Sequence, residues 1–222
     1  MFPRRALLTG LALCAASAVL PVAHAADAAA NYPSRPIKLV VPFGAGGSTD
    51  IVARLLADKM GPILGQTVVV ENKGGAGGSI GAAEIAKAAP DGYTIGMATV
   101  STHGANPAIM TKLPYDAKKD FAPITNVMSV PSVFVVHPSV PAKTMQEFIA
   151  LAKKEPGQYT FASPGTGSLG HANIENFMHL AGIKLLHIPY KGAGQALTDA
   201  LGGQVNAMTD ILPSTLSNIK AG

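Results

Sequence analysis

Beyond residue 35, apolar residues fall into short runs whose spacing alternates between two periods. Ile37-Lys38-Leu39-Val40-Val41 is a β-rich run closed by Pro42, the pattern of a buried strand. After the turn Gly44-Ala45-Gly46-Gly47, the residues Ser48, Thr49 and Asp50 have the chemistry of a helix N-cap and first turn. Ile51, Leu55, Leu56 and Met60 then mark the apolar stripe of a helix. Residues 67–70 predict a second strand, the Gly-rich turn 74–78 opens a helix over 79–89, and 94–99 predict a third strand that runs into the polar stretch 99–106. Two such strand–helix–strand units side by side argue for an open α/β sheet with parallel strands.

Residues 121–136 are unusually extended, with Pro123 and Pro131 inside, and suit a crossing between two lobes. Thr144-Met145-Gln146-Glu147 is a capping box opening a helix to Lys154. The alternation then resumes with a strand at 159–163, a Gly-rich turn at 164–170 and a helix at 169–181. A strand at 185–188, a helix at 193–201 and a strand at 205–209 follow, and Pro213 opens a last helix with Gly222 as its C′ residue. Each half carries a Gly-rich strand-to-helix turn. The likeness is one of plan, without a strict sequence repeat.

The first 25 residues follow another plan. Arg4 and Arg5 form a short basic start, fifteen uncharged residues rich in Ala and Leu run from Ala6 to Leu20, and Pro21 breaks the run. Ala23-His24-Ala25 then puts small residues where a signal peptidase reads. This is the layout of a cleavable export signal, too short and wrongly flanked for a membrane span, and it predicts a mature N-terminus near Ala26. The arginine pair is compatible with twin-arginine export as well as the general route. Cys14 follows Leu13, which is not the small residue a lipid-anchored cysteine needs, so it reads as an ordinary apolar signal residue. The chain after residue 25 has no cysteine and stands on its hydrophobic core.

Charge excludes one class of partner. Without Arg4 and Arg5 the 17 basic residues become 15 against 13 acidic, a formal charge of +2, and the basic residues are scattered. Nucleic acid binding wants a basic stripe, so no nucleic acid partner is expected. No apolar stretch after the signal is long enough to cross a bilayer, and the 197 residues left suffice for one large or two small domains.

Three turns join a strand to a helix through glycines, at 44–47, 74–78 and 165–170. Glycine lets several backbone N–H groups point into one concavity, and the helix N-terminus adds partial positive charge, so such turns favour an anion. In an open α/β sheet they lie beyond the carboxyl ends of the strands, where ligands bind. Phosphate chemistry fits poorly. Gly47-Ser48-Thr49 lacks the lysine of a Walker loop. Gly165-Thr166-Gly167-Ser168-Leu169-Gly170 matches G-x-G-x-x-G, but Leu186-His187-Ile188-Pro189-Tyr190 has no acid for a ribose. A serine hydrolase using Ser168 is an alternative, yet Thr166 stands where a nucleophile elbow needs glycine, and no histidine follows Asp199 or Asp210. The histidines show no metal-ligand spacing, so neither metal nor cofactor is expected. His179 reads as packing and His171 as a ligand contact. The turns at 44–50 and 163–171 hold no Lys or Arg. An acid would therefore be bound by backbone amides, by the hydroxyls of Ser48, Thr49, Thr166 and Ser168, and by water.

Several motifs together resemble the Bug family of periplasmic solute receptors. They are Tyr32-Pro33-Ser34-Arg35-Pro36-Ile37, Val40-Val41-Pro42-Phe43 with Gly46-Gly47-Ser48-Thr49-Asp50, and Val70-Glu71-Asn72-Lys73-Gly74-Gly75-Ala76-Gly77-Gly78 with Ala89-Pro90-Asp91-Gly92-Tyr93-Thr94. Leu113-Pro114-Tyr115-Asp116, Lys119-Asp120-Phe121-Ala122-Pro123, His137-Pro138-Ser139, His187-Ile188-Pro189-Tyr190-Lys191-Gly192 and Leu201-Gly202-Gly203-Gln204-Val205 complete the set. The resemblance covers essentially all of the chain after the signal. It implies a two-lobed periplasmic-binding-protein fold of the type with two crossing strands (type II), with lobe one over 26–123 and lobe two over 124–222. It implies a monomeric receptor, not an enzyme, that catches a small organic acid for the membrane subunits of a tripartite tricarboxylate transporter; a sensory receptor would use the same cleft. The implied ligand contacts are Gly44, Ala45, Gly46, Gly47, Ser48 and Thr49 in one turn, and Ser163, Gly165, Thr166, Gly167, Ser168 and His171 in the other. Thr99 and Ser101 lie in a third loop, and Asp210 faces the cleft. Full-length members of that family continue beyond Lys220-Ala221-Gly222 to complete lobe one, so the chain reads as truncated at its C-terminus.

Overall fold

In the computed structural model, residues 31–221 are described. The segment expected to be an export signal, with Cys14, and Gly222, expected as a C′ residue, lie outside the described residues. All the elements belong to the unit Pro36–Gly222.

The first apolar run is strand β1 (Ile37–Val41), and it lies at the centre of a parallel three-stranded sheet of order β2-β1-β3, with β2 at Val68–Asn72 and β3 at Thr94–Gly96. Helix α1 (Ser48–Leu64) covers one face. It does so with a different stripe from the one its bulky residues suggest. Ala53, Ala57, Met60 and Leu64 pack on Ile37, Leu39 and Val41, while Ile51 and Leu55 are 37% and 59% exposed. The spacing i, i+4, i+7, i+11 is equally helical, and the two alanines let the helix lie close to the strand. Gly47, with extended backbone, is the N-cap and makes no side-chain cap; Ser48 is the first helical residue and its hydroxyl is used elsewhere. Helix α2 (Ser79–Ala86), entered through the short helical turn Ala76–Gly78, packs Ala82 and Ala83 towards Tyr115. Strand β3 stops three residues earlier than expected. The Thr99 amide donates to Thr102 Oγ1 at 3.0 Å, one of the side-chain bonds that compete with a ladder. A wide helical turn (Ser101–Ala105) and the one-turn helix α3 (Asn106–Ile109) follow.

The stretch expected to be strand-like from 121 is strand only at β4 (Ser132–Val136); residues 122–129 are exposed and lie in no element. Strand β4 is the edge of a second sheet of order β4-β7-β5-β6, antiparallel to β7 (Ala207–Ile211), which is parallel to β5 (Thr160–Ser163), itself parallel to β6 (Leu186–Pro189). Strand β7 begins two residues later than the expected 205–209, a shift that preserves which side chains face which way. Helix α4 (Met145–Lys154) opens with the full capping box: the Glu147 amide donates to Thr144 Oγ1, and the Thr144 amide donates to Glu147 Oε2. Such a cap stabilises by about 1 kcal/mol. Helices α5 (Leu169–Ala181) and α6 (Ala193–Leu201) flank the sheet. Phe148, Phe161 and Ile174 form one core with Ala207, and Ala162, Ala196 and Met208 form another. Strand β7 runs straight into α7 (Leu212–Ala221), which touches α1 as well as β7. Among the described residues no helix is long and apolar enough to cross a membrane.

Candidate ligand cleft

The carboxyl ends of β1, β2, β5 and β6 all lead into glycine turns, and these turns meet along one seam between the two sheets. The turn after β1 is shaped from below by Asp50, which is 3% exposed. Asp50 Oδ2 accepts from the Gly46 amide at 2.9 Å and from Arg54 Nε at 3.0 Å. Oδ1 accepts at 2.9 Å from Asn72 Nδ2, which also donates to Phe43 O at 3.0 Å. Burial pushes the Asp50 carboxyl up, but Arg54, the Gly46 amide and Asn72 together outweigh it and hold it below its ordinary value.

Across the seam, the contact is largely backbone on backbone. The Gly44 amide donates to Lys191 O at 2.8 Å. A Cβ on Gly47 would stand 3.3 Å from the Ala193 methyl, and one on Gly192 would stand 2.5 Å from Gly44 N. Gly77 shows why glycine is needed here. Its φ of +60° is a left-handed conformation, and a Cβ would lie 2.8 Å from Gly167 C and 3.0 Å from Ser168 N. The hydroxyls bridge too. Ser48 Oγ donates to Ile211 O at 2.9 Å and accepts from the Ser214 amide at 3.0 Å, and Ser101 Oγ accepts from the Leu169 amide at 2.9 Å. Asp210 is 7% exposed and accepts from Ser214 Oγ; burial raises its carboxyl, against the opposing pull of that hydroxyl and the Ile211 amide.

The turn after β5 is held from within its own half. Ser163 Oγ accepts from the Gly165 amide at 3.2 Å and lies 2.7 Å from His187 Nε2, while His171 Nδ1 accepts from the Gly167 amide at 3.3 Å. The rings of His171 and His187 stack with centroids 4.1 Å apart, and Phe161 stacks with His187 at 4.7 Å. Burial, and then the neighbouring His171, hold His187 down at about 4, so it is neutral at pH 7. Both nitrogens of His171 are engaged within this half, since Nε2 lies 3.3 Å from Glu175 Oε1. His179, expected to pack, is instead exposed beside Glu175 and Lys184.

The structure therefore brings Gly44, Gly47, Ser48, Ser101, Gly165, Gly167, Ser168 and Asp210 to one seam, with Ala45, Gly46 and Thr166 on its exposed rim. Thr99 supports Thr102 one step back, Ser163 and His171 brace the second turn, and Thr49 lies in the first turn of α1. Ser168 is 1% exposed and its Oγ accepts from the His171 amide at 3.2 Å, which is the position of a helix cap; Asp199 accepts from Tyr190 Oη at 2.7 Å. Ser168 Oγ thus serves as a helix cap and not as half of a serine–base pair. Among the described residues no three His, Cys, Asp or Glu side chains gather as a metal site would. Sequence reasoning had the turn of Gly77 among its three candidates but missed Asn72, Asn106, Lys191 to Gly194, and Ser214. The glycines of Gly192-Ala193-Gly194 ahead of a helix repeat the signal of the other turns; the rest act over long sequence distances and leave no local mark.

Residues 52–222 match the model of the tripartite tricarboxylate transporter family receptor. Protein BugT of Bordetella pertussis is 40% identical over 217 residues, covering 97% of this chain and 66% of BugT. A solved periplasmic transporter is 50% identical with a TM-score of 0.83, over 86% of this chain and 64% of its own. Two further structures from Rhodopseudomonas palustris, Rpa4515 with adipate and MatC with bound malate, are each 34% identical, with TM-scores of 0.82 and 0.81. They cover 86% of this chain and 64% and 65% of their own. The chain thus spans just under two thirds of the length of the relatives it matches.

Proposed function

Because the chain belongs to the tripartite tricarboxylate transporter receptor family, a family of binding proteins rather than enzymes, we propose that it is a periplasmic receptor capturing a small organic di- or tricarboxylate between two lobes, 26–123 and 124–222, for such a transporter. One observation carries the ligand class. The Leu169 amide, in the first turn of the 13-residue helix α5, donates across the seam to Ser101 Oγ at 2.9 Å. That helix N-terminus already takes an oxygen from the opposite half, and a carboxylate supplies the same oxygen with a full charge. With no Lys or Arg in the turns 44–50 and 163–171, amides, hydroxyls and bridging water hold the acid. The adipate and malate bound to the two relatives are of this class.

Isothermal titration with malate, succinate, adipate and citrate tests the reading. At least one acid should bind with a Kd in the micromolar range, about −8 kcal/mol. Absence of heat from all four would remove the carboxylate assignment. Export is proposed through cleavage after Ala25. Protein from a periplasmic extract should begin at or near Ala26, and intact Met1 on cytoplasmic protein would remove the localisation.

A further inference from the structure

Asn106 opens the one-turn helix α3 and is fully buried. Its Nδ2 donates to Gly77 O at 3.1 Å, and its amide group lies against the Tyr115 hydroxyl, whose own proton goes to Thr102 O at 2.6 Å. Turning the amide over would face Oδ1 to Gly77 O, acceptor to acceptor, so the neighbours fix which atom is which. Among the described residues, Asn106 Oδ1 is the buried side-chain polar atom left without a hydrogen-bond partner. It points to the seam: a methyl on Gly167 would stand 3.7 Å from it, and Gly77, which takes the other end of the amide, abuts Gly167. The Asn106 amide nitrogen of the main chain donates to Ser101 O, which ties the residue to the loop whose hydroxyl meets the α5 N-terminus.

We infer that Asn106 Oδ1 accepts a hydrogen bond from the ligand, so that the cleft selects a hydroxy- or amino-substituted carboxylic acid over the unsubstituted one. The inference rests on the carboxylate reading above. An ionised carboxylate accepts and cannot donate, so a plain dicarboxylate offers nothing to Oδ1 and sets oxygen against oxygen. A hydroxyl or ammonium beside the carboxylate supplies the missing donor. A site built around such a bond discriminates strongly against the analogue that lacks it.

Malate and succinate differ by that one hydroxyl. In calorimetric titrations of the unaltered protein, the better malate enantiomer should bind at least about tenfold more tightly than succinate. Asn106→Leu should bring the ratio close to one: it removes the bond to Gly77 O for either acid, and the bond from the substituent for malate alone. If that variant fails to fold, the ratio in the unaltered protein, repeated with aspartate against succinate, decides alone. Equal binding of the substituted and plain acids overturns the inference and leaves the carboxylate reading standing. Binding of no acid at all overturns both.

Discussion

Gly194→Ala should leave the second sheet and its helices folded and weaken ligand binding by about a hundredfold. Gly194 is the second residue of α6, where alanine is the better helix former by about 1 kcal/mol. The atoms nearest to an added methyl group are not those of its own half. Across the seam, that methyl would overlap Ala45 O and lie 3.0 Å from Gly46 C. These are backbone atoms and cannot swing aside as a flexible side chain does, so the two turns must separate. A closed state disfavoured by about 3 kcal/mol corresponds to a hundredfold loss of affinity for a ligand that needs it. Calorimetry and a thermal melt on the same sample check both halves of the expectation. A variant that binds like the parent would show that the bound form does not use this contact.

Asp50 carries the second large effect. Its carboxylate gathers the Gly46 amide, Arg54 and Asn72 beneath the first turn, and Asp50→Asn presents an NH2 to donors that need an acceptor. The variant should lose about 1–3 kcal/mol of stability at pH 7. It should also lose affinity, because the turn it shapes borders the seam. The pH dependence has a definite sign. The folded carboxyl titrates below its ordinary value of 3.8, so its contribution is complete above that value and disappears as pH falls through the lower, folded one. Urea melts of the parent and the variant should therefore differ at pH 7 and converge as the solution is acidified below about pH 4. A gap that persists unchanged into acid would mean that the charge of Asp50 is not what holds the turn.

What could be read from the chain was what local chemistry writes. The capping box at Thr144 and Glu147, the start of α5 after Ser168 and the span of α6 each depend on residues within one turn of one another. The helix boundaries there needed no knowledge of the rest of the molecule. The buried face of α1 was misread because Ile51 and Leu55 look more like core than Ala53 and Ala57. The choice between two helical stripes belongs to the sheet beneath. Likewise the hydroxyl-bearing turns were legible as glycine followed by N-cap residues, whereas the partners of those hydroxyls were not. Ser48 finds Ser214 and Ser101 finds Leu169 over long separations. Asn106 had no signal at all, since an unpaired acceptor is visible in three dimensions alone.

The seam of glycine backbones also bears on the reversibility of the proposed capture. Most recognition surfaces immobilise long side chains each time they engage, at roughly 0.5–1.5 kcal/mol apiece. Where Gly44, Gly47 and Gly77 meet Gly192, Gly194 and Gly167, there are no such rotors to freeze. Open and shut forms then differ little in side-chain entropy, and the balance between them is left to the few polar bonds across the gap and to whatever the cargo adds. For the capture proposed above, such a seam makes a latch of low side-chain cost, one that a modest ligand suffices to hold shut.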